Sequence, residues 1–125
     1  MSAAARIAAL LATAALAACG PPVLGGAAPP GAVGDPARGA AVIGQAQCGA
    51  CHEIPGIADA HGLVGPPLTE FGRRTMVAGM LPNTPDALVR WLRDPQGVTP
   101  GNGMPDTHLT DRQARDVAAY LYTLR

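Results

Sequence analysis

The sequence predicts an all-α domain of three to four short helices joined by long loops. Three helix starts support this class: Asp35-Pro36, Thr84-Pro85-Asp86, and Thr110 with Gln113 three residues later. Thr and Asp cap free backbone N–H groups at a helix start, and Pro fits the first helical position. No alternation of apolar and polar residues is long enough for a sheet. The 16 Gly and 13 Pro of the 125 residues indicate that much of the chain is loop.

The first two helices are short and have clear limits in the sequence. The first is expected from Pro36 to about Gln47 and is built mostly from Ala, Gly and Ile43. The second begins after Thr84 and is ended by Pro95, which cannot continue a helix. Between them, residues 68–74 are expected to form at most a short helical turn.

The last helix carries the strongest pattern. Thr110 and Gln113 have the spacing of a capping box, in which each side chain binds the other residue's backbone N–H. Behind them, apolar residues recur at helical spacing: Ala114, Val117, Ala118, Tyr120, Leu121 and Leu124.

Composition limits the possible functions. All nine positive residues are Arg, they balance nine acidic residues, and no basic run is present, so nucleic-acid binding is not expected. Aromatic residues make up only 3% of the chain. Because aromatic side chains supply large buried areas, we expect either that much of the chain is loop or that something other than side chains fills part of the core.

Residues 1–18 are typical of an export signal. Arg6 precedes a short apolar stretch, which is too short to span a bilayer. The segment ends in Leu16-Ala17-Ala18-Cys19, which resembles a bacterial lipobox, where the Cys is lipidated and becomes the first residue of the mature protein. A plain signal peptide with a chance Cys is the alternative.

Residues 19–34 are predicted to be a tether between Cys19 and the domain at residues 35–125. Nine of the fifteen residues from Gly20 to Gly34 are Gly or Pro, and none is charged. Such a segment cannot bury a face and behaves as a flexible linker. We therefore expect the mature protein to be anchored to a membrane by lipid on Cys19.

The chemistry is expected at Cys48-Gly49-Ala50-Cys51-His52, a Cys-x-x-Cys-His motif. Two thiols at this spacing can form thioethers to one haem, and the His that follows is placed as an axial iron ligand. The alternatives are a redox dithiol, half of a zinc site and a structural disulfide. A dithiol of the thioredoxin kind needs a βαβ context, and tetrahedral zinc needs a second ligand pair. Neither is visible in the sequence. A covalently held porphyrin would also supply the apolar core that the composition lacks.

Residues 35–125 resemble a class I cytochrome c. The resemblance is carried by Gly39 and Ile43 in the first helix, the Cys-x-x-Cys-His motif, Gly65-Pro66-Pro67-Leu68, Gly101-Asn102-Gly103-Met104-Pro105 and Val117-Ala118-Ala119-Tyr120-Leu121. Two further segments, Arg73 to Pro85 and Trp91 to Gln96, are similar to the cytochrome c domain fused to subunit II of haem–copper oxidases. The resemblance implies helices packed around one haem c attached through Cys48 and Cys51. We expect the lipid anchor and tether to stand where those proteins carry a copper-binding region. Pro67 stands where Asn or Asp is commoner in the family.

The resemblance implies that Met104 is the second axial ligand, because it occupies the family's position in a Gly/Pro-bounded loop before the last helix. A thioether is a soft, neutral ligand that favours reduced iron. His108 is the main rival, while Met76, Met80 and His61 are expected to have other roles.

Supporting roles are expected for several residues. The carbonyl of Pro66 is predicted to accept the other ring N–H of His52. Trp91 is predicted to approach a haem propionate or to pack in the core. Arg73 and Arg74 are predicted to pair with propionates or to form a solvated pair. The resemblance also implies that the first and last helices cross at Gly39 and Tyr120.

The predicted function is that of a membrane-tethered electron carrier at the periplasmic face of a bacterial membrane. Its expected partners are a quinol-oxidising complex as donor and a terminal haem–copper oxidase as acceptor. One alternative is the electron-transfer subunit of a periplasmic dehydrogenase. The other is a gas- or peroxide-binding haem protein, which requires a labile or missing sixth ligand.

Overall fold

A computed structural model describes residues 34–125 of the chain. The predicted export signal, Cys19 and the tether up to residue 33 lie outside the described residues. Within residues 34–125 the order is α1 (Pro36–Gln45), a 3₁₀ turn (Cys48–Ala50), a 3₁₀ turn (Phe71–Arg73), β1 (Met76–Val77), β2 (Leu81–Pro82), α2 (Pro85–Arg93), α3 (Pro95–Val98) and α4 (Asp111–Thr123).

Helix α1 begins as predicted and ends two residues early. The side chain of Asp35 accepts the N–H of Arg38 at 3.0 Å, and Pro36 occupies the first turn. The helix ends at Gln45 because Gln47 adopts a left-handed conformation with φ 54°. This change of direction starts the 3₁₀ turn that contains Cys48.

Helices α1 and α4 cross at Gly39, as the family resemblance implies. A β-carbon at Gly39 would lie 2.0 Å from the carbonyl oxygen of Asp116 and 3.0 Å from Cβ of Tyr120. The two backbones therefore approach so closely that no side chain fits between them. This crossing joins the two ends of the described domain.

An ion pair beside this crossing also holds α1 to α4. The carboxylate of Asp116 is 3% exposed and accepts Nε of Arg38 at 2.9 Å and the backbone N–H of Asp35 at 2.8 Å. The hydrogen bond from Arg38 is the largest cause that holds the pKa of Asp116 below its usual range. The charged form of Asp116 is therefore the form that the fold stabilises.

The segment between α1 and α2 contains a β-ribbon that the sequence did not predict. Met76 pairs with Pro82 and Val77 with Leu81 in an antiparallel ribbon of two-residue strands. Alternation cannot be detected over two residues, so the pattern contained no signal for it. The expected helical turn is present as the 3₁₀ turn at Phe71–Arg73.

Helix α2 ends before Pro95 as predicted, but Pro95 also starts a further helix. Asp94 accepts the N–H of Gly97 at 2.7 Å and caps α3, while Pro95 occupies its first turn and is buried. In the sequence pattern, Pro95 predicts only the end of α2.

Helix α4 completes the core and has the predicted capping box. Thr110 accepts the N–H of Gln113 at 3.3 Å, and Oε1 of Gln113 accepts the N–H of Thr110 at 2.9 Å.

The buried residues form one cluster: Ile43, Ile54, Ala60, Phe71, Val77, Leu88, Val89, Leu92, Ala114, Val117, Ala118, Tyr120, Leu121 and Tyr122. The described domain is all-α apart from the ribbon of β1 and β2, whose strands have two residues each. In the described range, none of the helices has the length and apolar character needed to cross a membrane.

Candidate functional site

The Cys-x-x-Cys-His motif forms a tight turn directly after α1. The backbone N–H groups of Cys51 and His52 both donate to the carbonyl of Cys48, at 3.2 and 3.0 Å. Both thiols are free and half-buried. Burial is the largest cause that raises the pKa of the Cys48 thiol, so the protonated form is favoured there. The turn thus presents two thiols and one imidazole within five consecutive residues.

A loop from Ala60 to Gly65 packs against this turn. Gly62 donates to the carbonyl of Gly49 at 3.0 Å, and Gly65 donates to the carbonyl of Cys51 at 2.7 Å. A β-carbon on Gly49 would lie 2.6 Å from Cα of Ala60. The motif is therefore held by backbone contacts that only small residues allow.

The imidazole of His52 is oriented by the next residues of the same loop. Its Nδ1 atom lies 2.7 Å from the carbonyl oxygen of Pro66, the contact that the family resemblance implies. A carbonyl only accepts, so Nδ1 carries the proton and Nε2 is left with its lone pair. A β-carbon on Gly65 would lie 2.3 Å from Cε1 of the ring. His52 is thus prepared to ligate a metal through Nε2.

The zinc alternative has no geometric support in the described range. Among residues 34–125, no three His, Cys, Asp or Glu side chains lie close enough together to hold one metal ion. Cys48 and Cys51 are also not joined to each other. The arrangement suits covalent attachment of a group that the two thiols share.

Met104 lies in a loop that two amide side chains fix. Its N–H donates to Oδ1 of Asn102 and its carbonyl accepts Nε2 of Gln96, both at 2.7 Å. The Met104 side chain packs against the hydrophobic core, whereas Met76 and Met80 are 42% and 49% exposed. Met104 is therefore the most enclosed thioether among the described residues.

The two rival His residues lie in different surroundings. His61 forms an isolated antiparallel bridge with Glu53 and is exposed. His108 is exposed and has a left-handed backbone, with φ 54°.

The other predicted residues lie around the same loops. Trp91 is half-buried on α2 and packs against the core. Arg73 is exposed and forms an ion pair with Glu70 at 3.4 Å. Arg74 donates to the carbonyls of Pro67 and Thr69. Their contacts with propionates stay predictions.

Arg74 also makes contacts within the protein that the sequence did not predict. Its guanidinium lies 5.5 Å from the centroid of the Phe71 ring, within the range of a cation–π contact. Because it also holds the carbonyls that follow Pro66, Arg74 stabilises the loop that orients His52. The only signal in the sequence was its place next to Arg73, which does not distinguish the two residues.

Asn83 is a further residue that sequence reasoning missed. Its Nδ2 donates to the carbonyls of Phe71 and Arg74 at 3.2 and 2.9 Å, and its Oδ1 accepts the hydroxyl of Tyr122 at 3.0 Å. Asn83 therefore ties the 71–74 segment to α4.

The described residues fit a covalently attached haem. The domain has two free thiols, an imidazole held through Nδ1 and a half-buried thioether, which are the residue types that hold a c-type haem. Several hydrophobic residues that pack against the core are only partly buried: Ala40, Val42, Cys48, Ile57, Leu68, Leu81, Trp91, Met104, Leu109 and Leu124.

Comparisons with known proteins identify a family and several relatives of this chain. A family model described as "Cytochrome c" matches residues 36–125. The cytochrome c oxidase subunit 2 of Alkalihalophilus pseudofirmus is 35% identical over 89 residues, which cover 70% of this chain and 25% of that protein. The subunit 2 of Bacillus sp. strain PS3 is 38% identical over 82 residues, 62% of this chain and 23% of that protein. That of Bacillus subtilis is 32% identical over 92 residues, 70% and 26%. The chain thus spans about a quarter of the length of these relatives.

Proposed function

The chain belongs to the cytochrome c family, and on this basis we propose that it is a membrane-tethered carrier of single electrons with one haem c. The observation that carries the proposal is the oriented imidazole of His52, next to two free thiols at the attachment spacing. When bound, haem supplies one-electron chemistry between Fe(III) and Fe(II). The chain's own residues hold the group and set its environment.

Cys48 and Cys51 would hold the haem covalently, and His52 would ligate its iron through Nε2. The carbonyl of Pro66 accepts a hydrogen bond from Nδ1–H of His52 and so raises the basicity of the ligating nitrogen. A more basic ligand favours the oxidised iron. The Pro66 contact is therefore one means by which the chain sets its reduction potential.

Met104 would supply the sixth ligand, which counterbalances His52 by favouring reduced iron. Its enclosure against the core and the hydrogen bonds to its backbone support this assignment. With His52 and Met104 holding the iron, small molecules would find no open coordination site. This arrangement favours electron transfer over binding of gases or peroxide.

We propose a terminal haem–copper oxidase as the electron acceptor and a quinol-oxidising complex as the donor. The named relatives are cytochrome c oxidase subunits, which supports the acceptor. Redox encounters of this kind have small interfaces and short lifetimes. Without Arg6 of the export signal, eight Arg face nine acidic residues, so the mature chain has a formal net charge of −1 and electron transfer should depend only mildly on salt.

We also propose that Cys19 is lipidated and holds the protein at the periplasmic face of the membrane. The lipobox and the uncharged Gly/Pro-rich tether support this proposal. The tether would let the domain move between donor and acceptor while it stays near the membrane surface.

The direct test is rapid mixing of the reduced haem protein with a purified haem–copper oxidase, followed at the haem absorption band. We expect oxidation by the oxidase in the presence of oxygen, re-reduction by a quinol-oxidising complex, and similar rates at low and high salt. No oxidation by the oxidase would contradict the proposed acceptor. Efficient reduction by a periplasmic dehydrogenase alone would instead favour the dehydrogenase-subunit alternative.

A further inference from the structure

The loop that carries Met104 lacks regular secondary structure and is held by side chains instead. Residues 99–105 contain Pro100, Gly101, Gly103 and Pro105, so few backbone groups can bond within the loop. One backbone hydrogen bond closes it, from Asn102 to the carbonyl of Thr99 at 3.2 Å. The position of Met104 must therefore depend on contacts made by other residues.

Gln96 holds the loop from α3. Its Nε2 donates to the carbonyl of Asn102 at 3.1 Å and to that of Met104 at 2.7 Å. Its Oε1 accepts the N–H of Gly101 at 3.1 Å. One side chain thus binds three points of the loop at once.

Asn102 completes the arrangement from inside the loop. Its Nδ2 donates to the carbonyls of Pro95 and Thr99 at 2.8 and 2.7 Å, and its Oδ1 accepts the N–H of Met104 at 2.7 Å. Both backbone polar groups of Met104 are therefore bound by amide side chains.

Gln96 and Asn102, together called the clamp, are connected to a buried part of the fold at the start of α3. Pro95 is fully buried, and Asp94 caps the helix that carries Gln96. The amides themselves are half-buried, which reduces competition from water for their hydrogen bonds. Movement of Met104 away from its position must break several of these bonds together.

We propose that Gln96 and Asn102 are positioning residues that keep Met104 on the iron and resist its displacement by external ligands. This inference rests on the proposed function, in which Met104 is the sixth ligand. A neutral thioether is a weak ligand, so the stiffness of its loop decides how often the coordination site opens. The clamp would separate an electron carrier from a ligand-binding haem protein of the same fold.

The test measures imidazole binding to the oxidised haem protein in three variants. Gln96→Glu keeps the acceptor for Gly101 but removes the donors to the carbonyls of Asn102 and Met104. Asn102→Asp keeps the acceptor for Met104 but removes the donors to α3 and Thr99. Asn83→Asp is the matched control, because it also removes two donors to backbone carbonyls and adds the same charge, at the 71–74 segment.

We expect Gln96→Glu and Asn102→Asp to bind imidazole about tenfold more tightly than the wild type, the equivalent of about one hydrogen bond to the loop. The far-red band of Met–iron ligation should weaken in both. Asn83→Asp should bind imidazole like the wild type. If one of the two clamp variants fails to mature with haem, the other carries the test.

Equal affinities in the wild type and both clamp variants would overturn the inference, as would an equal gain in Asn83→Asp. Failure of the proposed function looks different. In that case the wild type itself lacks the far-red band, or Met104→Ala binds imidazole no better than the wild type. Such a result would remove the assigned ligand and the clamp's role with it.

Discussion

Gly65 lies directly against the ring of His52, and a β-carbon at this position would come within 2.3 Å of Cε1. The same residue donates to the carbonyl of Cys51 at 2.7 Å and precedes the carbonyl that binds Nδ1. The glycine is therefore needed for close approach, and not for an unusual backbone angle.

Gly65→Ala should displace the imidazole or the 65–67 loop. Overpacking of this kind costs about 1–3 kcal/mol, and here it should also weaken the contact between His52 and Pro66. Thermal unfolding of the haem protein and its reduction potential would measure both effects. Gly44→Ala is the control, because no atom lies within 4 Å of the β-carbon that it would add. Equal behaviour of the two variants would contradict the packing argument.

Arg74→Lys should raise the reduction potential while Arg73→Lys leaves it unchanged. Lys keeps the charge, but its ammonium group cannot reproduce the hydrogen bonds that the planar guanidinium of Arg74 donates to the carbonyls of Pro67 and Thr69. A looser loop weakens the contact between His52 and Pro66, so the imidazole becomes less basic and favours oxidised iron less.

The expected shift for Arg74→Lys is about tens of millivolts, since 59 mV is a tenfold change for a one-electron couple. Redox titration would measure it. Arg73 is the matched control because it is exposed and pairs with Glu70. The same shift in both variants would indicate a general charge or solvation effect instead.

Gly39→Ala should destabilise the domain even though Ala favours helix. The added β-carbon would meet the carbonyl oxygen of Asp116 at 2.0 Å and would force α1 and α4 apart. We expect a loss of about 1–3 kcal/mol in the free energy of unfolding. Gly44→Ala, in the same helix and open to space, should instead gain up to about 1 kcal/mol. Urea denaturation of both variants tests the crossing, and a stabilised Gly39→Ala protein would argue against it.

Asp116→Asn should cost stability at neutral pH, and the cost should fall on acidification. The pKa of Asp116 is held below its usual range, chiefly by Arg38, so its contribution is present above the ordinary Asp pKa of about 3.9. That contribution disappears as the pH falls through the lowered value. We expect a loss of about 2 kcal/mol at pH 7.

Urea denaturation across the acidic pH range would follow this difference. Asp86→Asn is the control, since the Asp86 side chain is 95% exposed and its contact with Arg115 is 4.0 Å long. A difference between wild type and Asp116→Asn that stays constant down to the acid-unfolding range would refute the proposed linkage.

Cys19→Ser should release the protein from membranes into the soluble fraction. The substitution removes the thiol that lipid would modify, while the Cys-x-x-Cys-His motif stays intact. Cell fractionation followed by haem staining would measure the distribution. Persistence of the variant in the membrane fraction would show that the anchor is not at Cys19.

The features that the sequence predicted are those set by local spacing. The capping box of Thr110 and Gln113, the cap at Asp35 and the Cys-x-x-Cys-His turn each depend on residues within four positions of one another. The contact between His52 and Pro66 spans 14 positions and was predicted from the family resemblance.

The features that were missed depend on where a side chain points. Gln96 was seen as part of a family segment, but its bonds to Gly101, Asn102 and Met104 require the exact course of the following loop. Arg74 differs from Arg73 only in the direction of its side chain, which spacing does not encode. The strands β1 and β2 have two residues each, which is too short for an alternation of apolar and polar residues to be detected.

A closed, six-coordinate haem site is the central feature of the proposed electron carrier, and one visible spectrum tests it. The haem protein should be recorded oxidised and reduced, with and without CO. We predict a c-type spectrum when reduced, a weak far-red Met–iron band when oxidised, and no change on adding CO. Bound haem without that band, or rapid CO binding at neutral pH, would contradict the electron-carrier assignment and favour a ligand-binding haem protein.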